Sequence, residues 1–156
     1  MKINIGIEEK GRKEVAGVLN RILSTEYVLY TKTRNFHWNV VGPRFNELHK
    51  FFEAQYEELD DIVDEVAERA RALGEKSFGS LAEFLAASTV KEPGKKNLKD
   101  DEMLQELLLD HETVTRDLRS QLEVCESSGD MGTSDFLTGL MEQHEKMAWM
   151  LRSFLA

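Results

Sequence analysis

The stretch His37-Trp38-Asn39-Val40-Val41-Gly42-Pro43-Arg44-Phe45-Asn46-Glu47-Leu48-His49, resumed at Asp64-Glu65-Val66-Ala67-Glu68-Arg69, decides the fold and carries the chemistry. After Phe45 the apolar residues fall at Leu48, Phe52, Leu59, Ile62, Val66, Ala70 and Leu73. Steps of three and four mark the buried face of one helix. A second stripe runs beside the first: His49, Glu53, Tyr56, Asp60, Asp64 and Glu68. His49 and Glu53 stand one turn apart, and so do Asp64 and Glu68. One helical face therefore carries two half-sets of metal-type ligands.

These half-sets cannot meet within one chain. His49 and Asp64 are separated by about 22 Å along a helix rising 1.5 Å per residue. The ligands of one ion must lie within roughly 2.0–2.5 Å of it. Two copies of the helix, packed antiparallel about a two-fold axis near Glu57 and Glu58, bring them together. His49 and Glu53 of one copy then face Asp64 and Glu68 of the other, twice per dimer.

The rest of the chain bounds this reading. A length of 156 residues suits one domain, residues 1–156, with a sizeable core. Helix formers abound and only two prolines occur, which favours an all-α chain. The formal net charge of −9 opposes nonspecific binding of nucleic acid and suits a cationic partner. One cysteine, Cys125, leaves no internal disulfide and fits a reducing cytoplasm. The amino terminus lacks the apolar run of a signal peptide, and no segment is long and apolar enough to span a membrane.

Taken in order, the first helix is expected from Glu8 or Glu9 to His37, burying Val15, Leu19, Ile22 and Tyr30, and stopped by Asn39 and Gly42-Pro43. The second is expected from about Pro43 to Leu73, with Gly74 as its stop. From Gly74 to Lys99 the periodicity breaks around Gly79, Pro93 and Gly94, and Ser80–Leu85 reads as a short helix within a long connection. The next helix begins at Asn97 or Asp100, carries Leu104, Leu107, Leu108, Val114, Leu118 and Leu122, and ends at Ser127-Ser128-Gly129-Asp130. The last begins at Thr133 or Ser134 and buries Leu137, Leu140, Met141, Met147, Leu151 and Phe154. Tight connections at Gly42 and Gly129 imply antiparallel neighbours, and the long one implies a crossover. The expected architecture is a four-helix bundle with one long crossover carrying a short helix.

The run His37-Trp38-Asn39-x-x-Gly42-x-x-Phe45-x-x-Leu48-His49, followed by Asp64-x-x-Ala67-Glu68-Arg69, resembles the Dps family of mini-ferritins. The crossover helix and His144-Glu145-Lys146-x-x-Trp149-Met150-Leu151-Arg152 extend the resemblance over nearly the whole chain. It implies a ferritin-like fold and a hollow dodecamer of tetrahedral symmetry. Such a cage oxidises Fe(II), preferably with hydrogen peroxide, and stores the ferric product inside. By the same resemblance His37, His49 and Glu53 of one subunit and Asp64 and Glu68 of its two-fold partner hold the iron. The family more often has Asp where this chain has Glu53, one methylene longer. Imidazole and carboxylate both bind iron, and carboxylates favour the ferric product. In the resembling family a tryptophan at the position of Trp38 can quench oxidising equivalents before radicals escape.

Other readings compete residue by residue. A polar stripe on a long helix ordinarily faces water; the joint spacing and motif favour ligands here. A conventional ferritin or di-iron oxygenase site lies inside one bundle and uses Glu-x-x-His on two helices, a motif absent from this sequence. His111 and His144 read as hydrogen-bonded core or inter-helix histidines in preference to ligands, the methionines as core filler, and Cys125 and Trp149 as packing residues. Asp130 and Asp135 either complement the dipole of the last helix or ring a pore that admits Fe(II). Some members of the resembling family coat DNA through a lysine-rich tail. Here Lys2 alone precedes Glu8-Glu9-Lys10, and acids border the patch of Lys10, Arg12 and Lys13. Phosphate binding needs several cations acting together, so weak or no DNA binding is expected and a cytoplasmic location with it, at the nucleoid only if DNA is coated. A purely structural helical oligomer leaves the ligand stripe without a role.

Overall fold

The computed structural model describes residues 3–94 and 97–156, so Lys2 lies outside the described residues. Five helices account for the described fold: α1 (Glu9–Asn39), α2 (Phe45–Ala72), α3 (Leu81–Ala87), α4 (Asp100–Ser127) and α5 (Met131–Phe154). No strand occurs among the described residues. The architecture is the all-α bundle with a crossover helix that the periodicity indicated.

Cross-helix pairs fix the directions. Arg21 meets Asp117 and Lys32 meets Asp110, so α1 and α4 run antiparallel. Arg152 on Glu112 and Arg119 on Glu145 make α4 and α5 antiparallel. The connection at residues 40–44 folds α2 back along α1. Helices α2 and α4 are therefore parallel, as the long connection through α3 requires. The whole apolar stripe of α2 is buried: Leu48, Phe52, Leu59, Ile62, Val66, Ala70 and Leu73 join Leu19, Leu107, Leu118, Leu137 and Leu151 in one core. Cys125 is buried there too, as are Met103, Met141 and Met147.

Helix ends differ from expectation where local hydrogen bonding overrides the pattern. Helix α1 continues to Asn39 and is closed by the Val40 N–H on the Phe36 carbonyl. Helix α2 starts at Phe45, not Pro43, because Gly42 takes a positive φ of 118° and Pro43-Arg44 complete a turn first. Helix α3 reaches Ala87, two residues past the expected end, and Ser80 and Glu83 form a reciprocal capping box at its start. Helices α2 and α4 both end in Schellman motifs. Gly74 N–H bonds to Arg71 O and Glu75 N–H to Ala70 O, while Gly129 N–H bonds to Glu126 O and Asp130 N–H to Cys125 O. The second motif delivers Asp130 directly to the start of α5. Asp130, and neither Thr133 nor Ser134, is the N-cap, its carboxylate accepting from the Thr133 N–H at 2.9 Å.

Trp149 departs from its expected packing role. It is 60% exposed, on the side of α5 turned away from the core.

Candidate metal centre

The turn between α1 and α2 brings His37 and His49 together. His37 lies in the last turn of α1 and is 7% exposed; His49 lies in the second turn of α2 and is half-buried. Their rings stack with centroids 3.7 Å apart and planes inclined by 19°. Each ring bonds to the other's backbone: His37 Nδ1 lies 2.7 Å from the His49 carbonyl oxygen, and His49 Nδ1 lies 2.9 Å from that of His37. A carbonyl oxygen only accepts, so both Nδ1 atoms carry the proton. In a neutral ring this tautomer leaves Nε2 as the acceptor atom. Fixing the tautomer through the other ring nitrogen is how metal-binding histidines are ordinarily oriented. Phe45 stacks on the outer side of His49 at 5.0 Å and shields it.

Glu53 follows one turn along α2 and is half-buried. The Tyr56 hydroxyl donates to its Oε1 across a long 3.5 Å. Burial raises the Tyr56 pKa above the usual phenol value, and the nearby Glu53 and Glu57 carboxylates raise it further. The phenol therefore stays neutral and available as a donor. Trp38 is 64% exposed and does not point into the histidine pair. Instead the Arg34 guanidinium, 5.2 Å from the Trp38 ring, also covers Tyr30 and Tyr56 at 5.4 and 5.1 Å. This Arg34 cluster escaped the sequence reading. Its signal was the four-residue spacing of Tyr30, Arg34 and Trp38 on α1.

Asp64 and Glu68 lie exposed on α2, one turn apart. Among the described residues, none of Glu53, Asp64 and Glu68 has an ion-pair partner. Three acids on one face without a neutralising cation are electrostatically prepared for one. Also among the described residues, no three His, Cys, Asp or Glu side chains of one chain converge on a point where an ion could sit. One chain thus brings His37 and His49 together beside Glu53, and holds Asp64 and Glu68 apart.

Arg69, next in the motif, has a structural partner. Its Nε donates to Thr133 Oγ1 at 2.8 Å and its Nη2 to Asp130 Oδ1 at 2.7 Å. Asp130 is 1% exposed and engaged by both the cap and Arg69, which is the helix-dipole role of the two considered for it. Asp135 is exposed one turn further on.

Comparison with known proteins places this geometry. The ferritin-like domain family matches residues 17–156. A low temperature-induced protein of Nostoc sp. (strain PCC 7120) is 44% identical over 99% of this chain and 87% of its own. DNA protection during starvation protein 2 of Bacillus anthracis is 39% identical over 92% of this chain and 97% of its own. Among solved structures, Dps from Vibrio cholerae O1, described as one of the ferritin-like diiron-carboxylate proteins, superposes with a TM-score of 0.93 at 32% identity. The match covers 100% of this chain and 98% of that one. Bundle topology, the histidine turn and full-length relatives at these identities agree, and the chain belongs to the Dps family of ferritin-like proteins.

Proposed function

We propose that this protein oxidises Fe(II), with hydrogen peroxide as the preferred oxidant, and stores the ferric product in a hollow dodecamer. The reaction site lies between two chains related by a two-fold axis. His37, His49 and Glu53 of one chain and Asp64 and Glu68 of the other are its ligands. Membership of the Dps family supports iron storage and protection. The observation that carries the ferroxidase reading is the pair of Nδ1-to-carbonyl bonds between His37 and His49. In neutral rings they leave both Nε2 atoms as acceptors, with the unneutralised Glu53 carboxylate one turn along α2 from His49.

Fe(II) is the substrate, and the residues suit it. Imidazole accepts the ferrous ion, and carboxylates hold the harder ferric product. Two Fe(II) ions supply the two electrons that hydrogen peroxide takes up with two protons, giving two Fe(III) and two waters. Consuming both reagents together leaves neither to generate hydroxyl radical. Trp38, exposed beside His37 and lying under Arg34, is the side chain that takes up oxidising equivalents leaving the site. Asp135, exposed near the start of α5, is the candidate for an entry route: Asp135→Asn slows iron uptake if it serves one, and an unchanged rate removes it.

The test is anaerobic loading with Fe(II), then a hydrogen peroxide pulse, following Fe(III) absorbance in wild type and His49→Ala. Fast oxidation in wild type that is lost in an assembled variant supports the site. Equal slow oxidation in both removes the α2 stripe from the chemistry. The alternative, a DNA-coating protein, is opposed by the net charge of −9. No gel shift at physiological salt is expected, and a clear shift brings that reading forward. No described helix is long and apolar enough to cross a membrane; the cytoplasm is the proposed location.

A further inference from the structure

Within the half-set His37, His49 and Glu53, the acid has the most freedom. Each histidine ring is pinned through its Nδ1 to a backbone carbonyl. Glu53 turns about three side-chain torsions, one more than an aspartate, and a ligand spread over rotamers is not ready for an ion. Among the described residues its carboxylate meets one side-chain donor, the Tyr56 hydroxyl, 3.5 Å from Oε1.

That donor is held in place by three side chains. The His37 ring meets the Tyr56 ring edge-on, with centroids 5.2 Å apart and planes at 75°, and the Tyr30 ring meets it at 6.2 Å and 79°. The Arg34 guanidinium lies 5.1 Å from the Tyr56 centroid and also donates to the Tyr30 hydroxyl. All three come from one face of α1, at steps of four and three residues. Helix α1 thus sets the direction in which an α2 side chain points. Arg34 is the telling member. A guanidinium bonded to Glu53 itself would neutralise the acid and compete with an incoming ion. Against the Tyr56 ring it steadies the donor and leaves the carboxylate charge free. Among the described residues neither Glu53 nor Arg34 takes part in an ion pair.

We propose, on the ferroxidase reading of this site, that Tyr56 is a positioning residue for Glu53. Its hydroxyl holds one carboxylate oxygen and leaves the other to the Fe(II) substrate, alongside His49. A neutral donor suits the task, because it orients the acid without cancelling its charge. Carboxylates that bind metals are ordinarily hydrogen-bonded in their turn, and losing such a partner costs roughly 10–100-fold in affinity. At 3.5 Å the bond is long, as such bonds often are before the site is filled.

The experiment is a double-mutant cycle in assembled protein, read by Co(II) affinity under argon. Only binding that His49→Ala abolishes is counted, so a wild type without such binding overturns the ferroxidase reading and this proposal together. Tyr56→Phe keeps the ring and deletes the hydroxyl. About tenfold weaker binding is expected, at an unchanged unfolding midpoint. Glu53→Asp withdraws the carboxylate by one methylene, out of reach of the hydroxyl. In that background Tyr56→Phe is expected to change the affinity by less than about twofold. Unchanged affinity in Tyr56→Phe alone overturns the proposal and leaves the ferroxidase reading standing. So does a loss of equal size with and without Glu53→Asp, which would place the action of Tyr56 on the His37 ring instead of the carboxylate.

Discussion

At the scale of single residues, the decisive pair is Arg69 and Asp130. They lie 61 positions apart, join the end of α2 to the start of α5, and share Thr133. Asp130→Ala removes the N-cap and leaves a partly buried guanidinium unpaired, a loss of about 2–4 kcal/mol in urea unfolding. Asp130→Asn keeps a capping oxygen and loses less. Equal stability of Asp130→Ala and wild type would dismiss the cap. Cys125 gives a second check. Burial, with the Asp130 carboxylate nearby, pushes its thiol up to about 11. The native protein should therefore leave an aromatic disulfide reagent unreacted at pH 8, with reaction appearing on unfolding. The sequence displays the types and spacing of His37, His49, Asp64 and Glu68. It cannot display the tautomers, which depend on backbone carbonyls across a turn, nor the Arg69–Asp130 pair, which depends on how two hairpins dock.

At the scale of elements, helix ends are set by hydrogen bonds that hydrophobic periodicity does not encode. The buried stripe of α2 was legible to the residue because a helix packed on one side imposes its period on composition. The start of α5 was not, because Asp130 closes a Schellman motif and caps the next helix with the same few atoms. Glycines test the distinction. Gly74 takes φ 94° in the α2 motif, and an added Cβ would meet the Ile3 side chain at 2.1 Å. Gly74→Ala should cost about 1–2 kcal/mol. Gly17, exposed within α1 with open space around it, should gain up to about 1 kcal/mol as alanine. Thermal unfolding of both variants checks the signs; a stabilised Gly74→Ala would contradict the motif. The start of α4 carries a pH signature. Arg44 bonds Asp100 and holds its carboxyl below the ordinary value of 3.8. A depressed folded pKa contributes stability that is present above the unfolded value and is lost as pH falls through the folded one. Arg44→Met should therefore lie below wild type in stability above pH 4, by up to about 1 kcal/mol. The gap should close in stronger acid.

At the scale of the whole molecule, the proposed iron site is incomplete in one chain. Trp149, Leu109, Met131, Leu81 and Val41 are large apolar side chains left exposed. His49 and Asp64 sit on one rigid helix that cannot fold back on itself. The proposal of a two-fold partner rests on spacing, because rise per residue converts sequence separation directly into distance. How many such dimers assemble lies in surface shape, which spacing does not contain. The shared site can be tested by complementation. One chain carries His37→Ala and His49→Ala, the other Asp64→Ala and Glu68→Ala, and each assembles alone with both sites of every dimer dead. Mixed dimers have one intact site of two, made of histidines from the second chain and acids from the first. Random reassortment makes half the dimers mixed, so about a quarter of wild-type sites return. Peroxide-driven Fe(II) oxidation in the co-refolded mixture should recover to about a quarter of the wild-type initial rate. Failure to rise above either parent, in a mixture shown to contain mixed dimers, would contradict a site built from two chains.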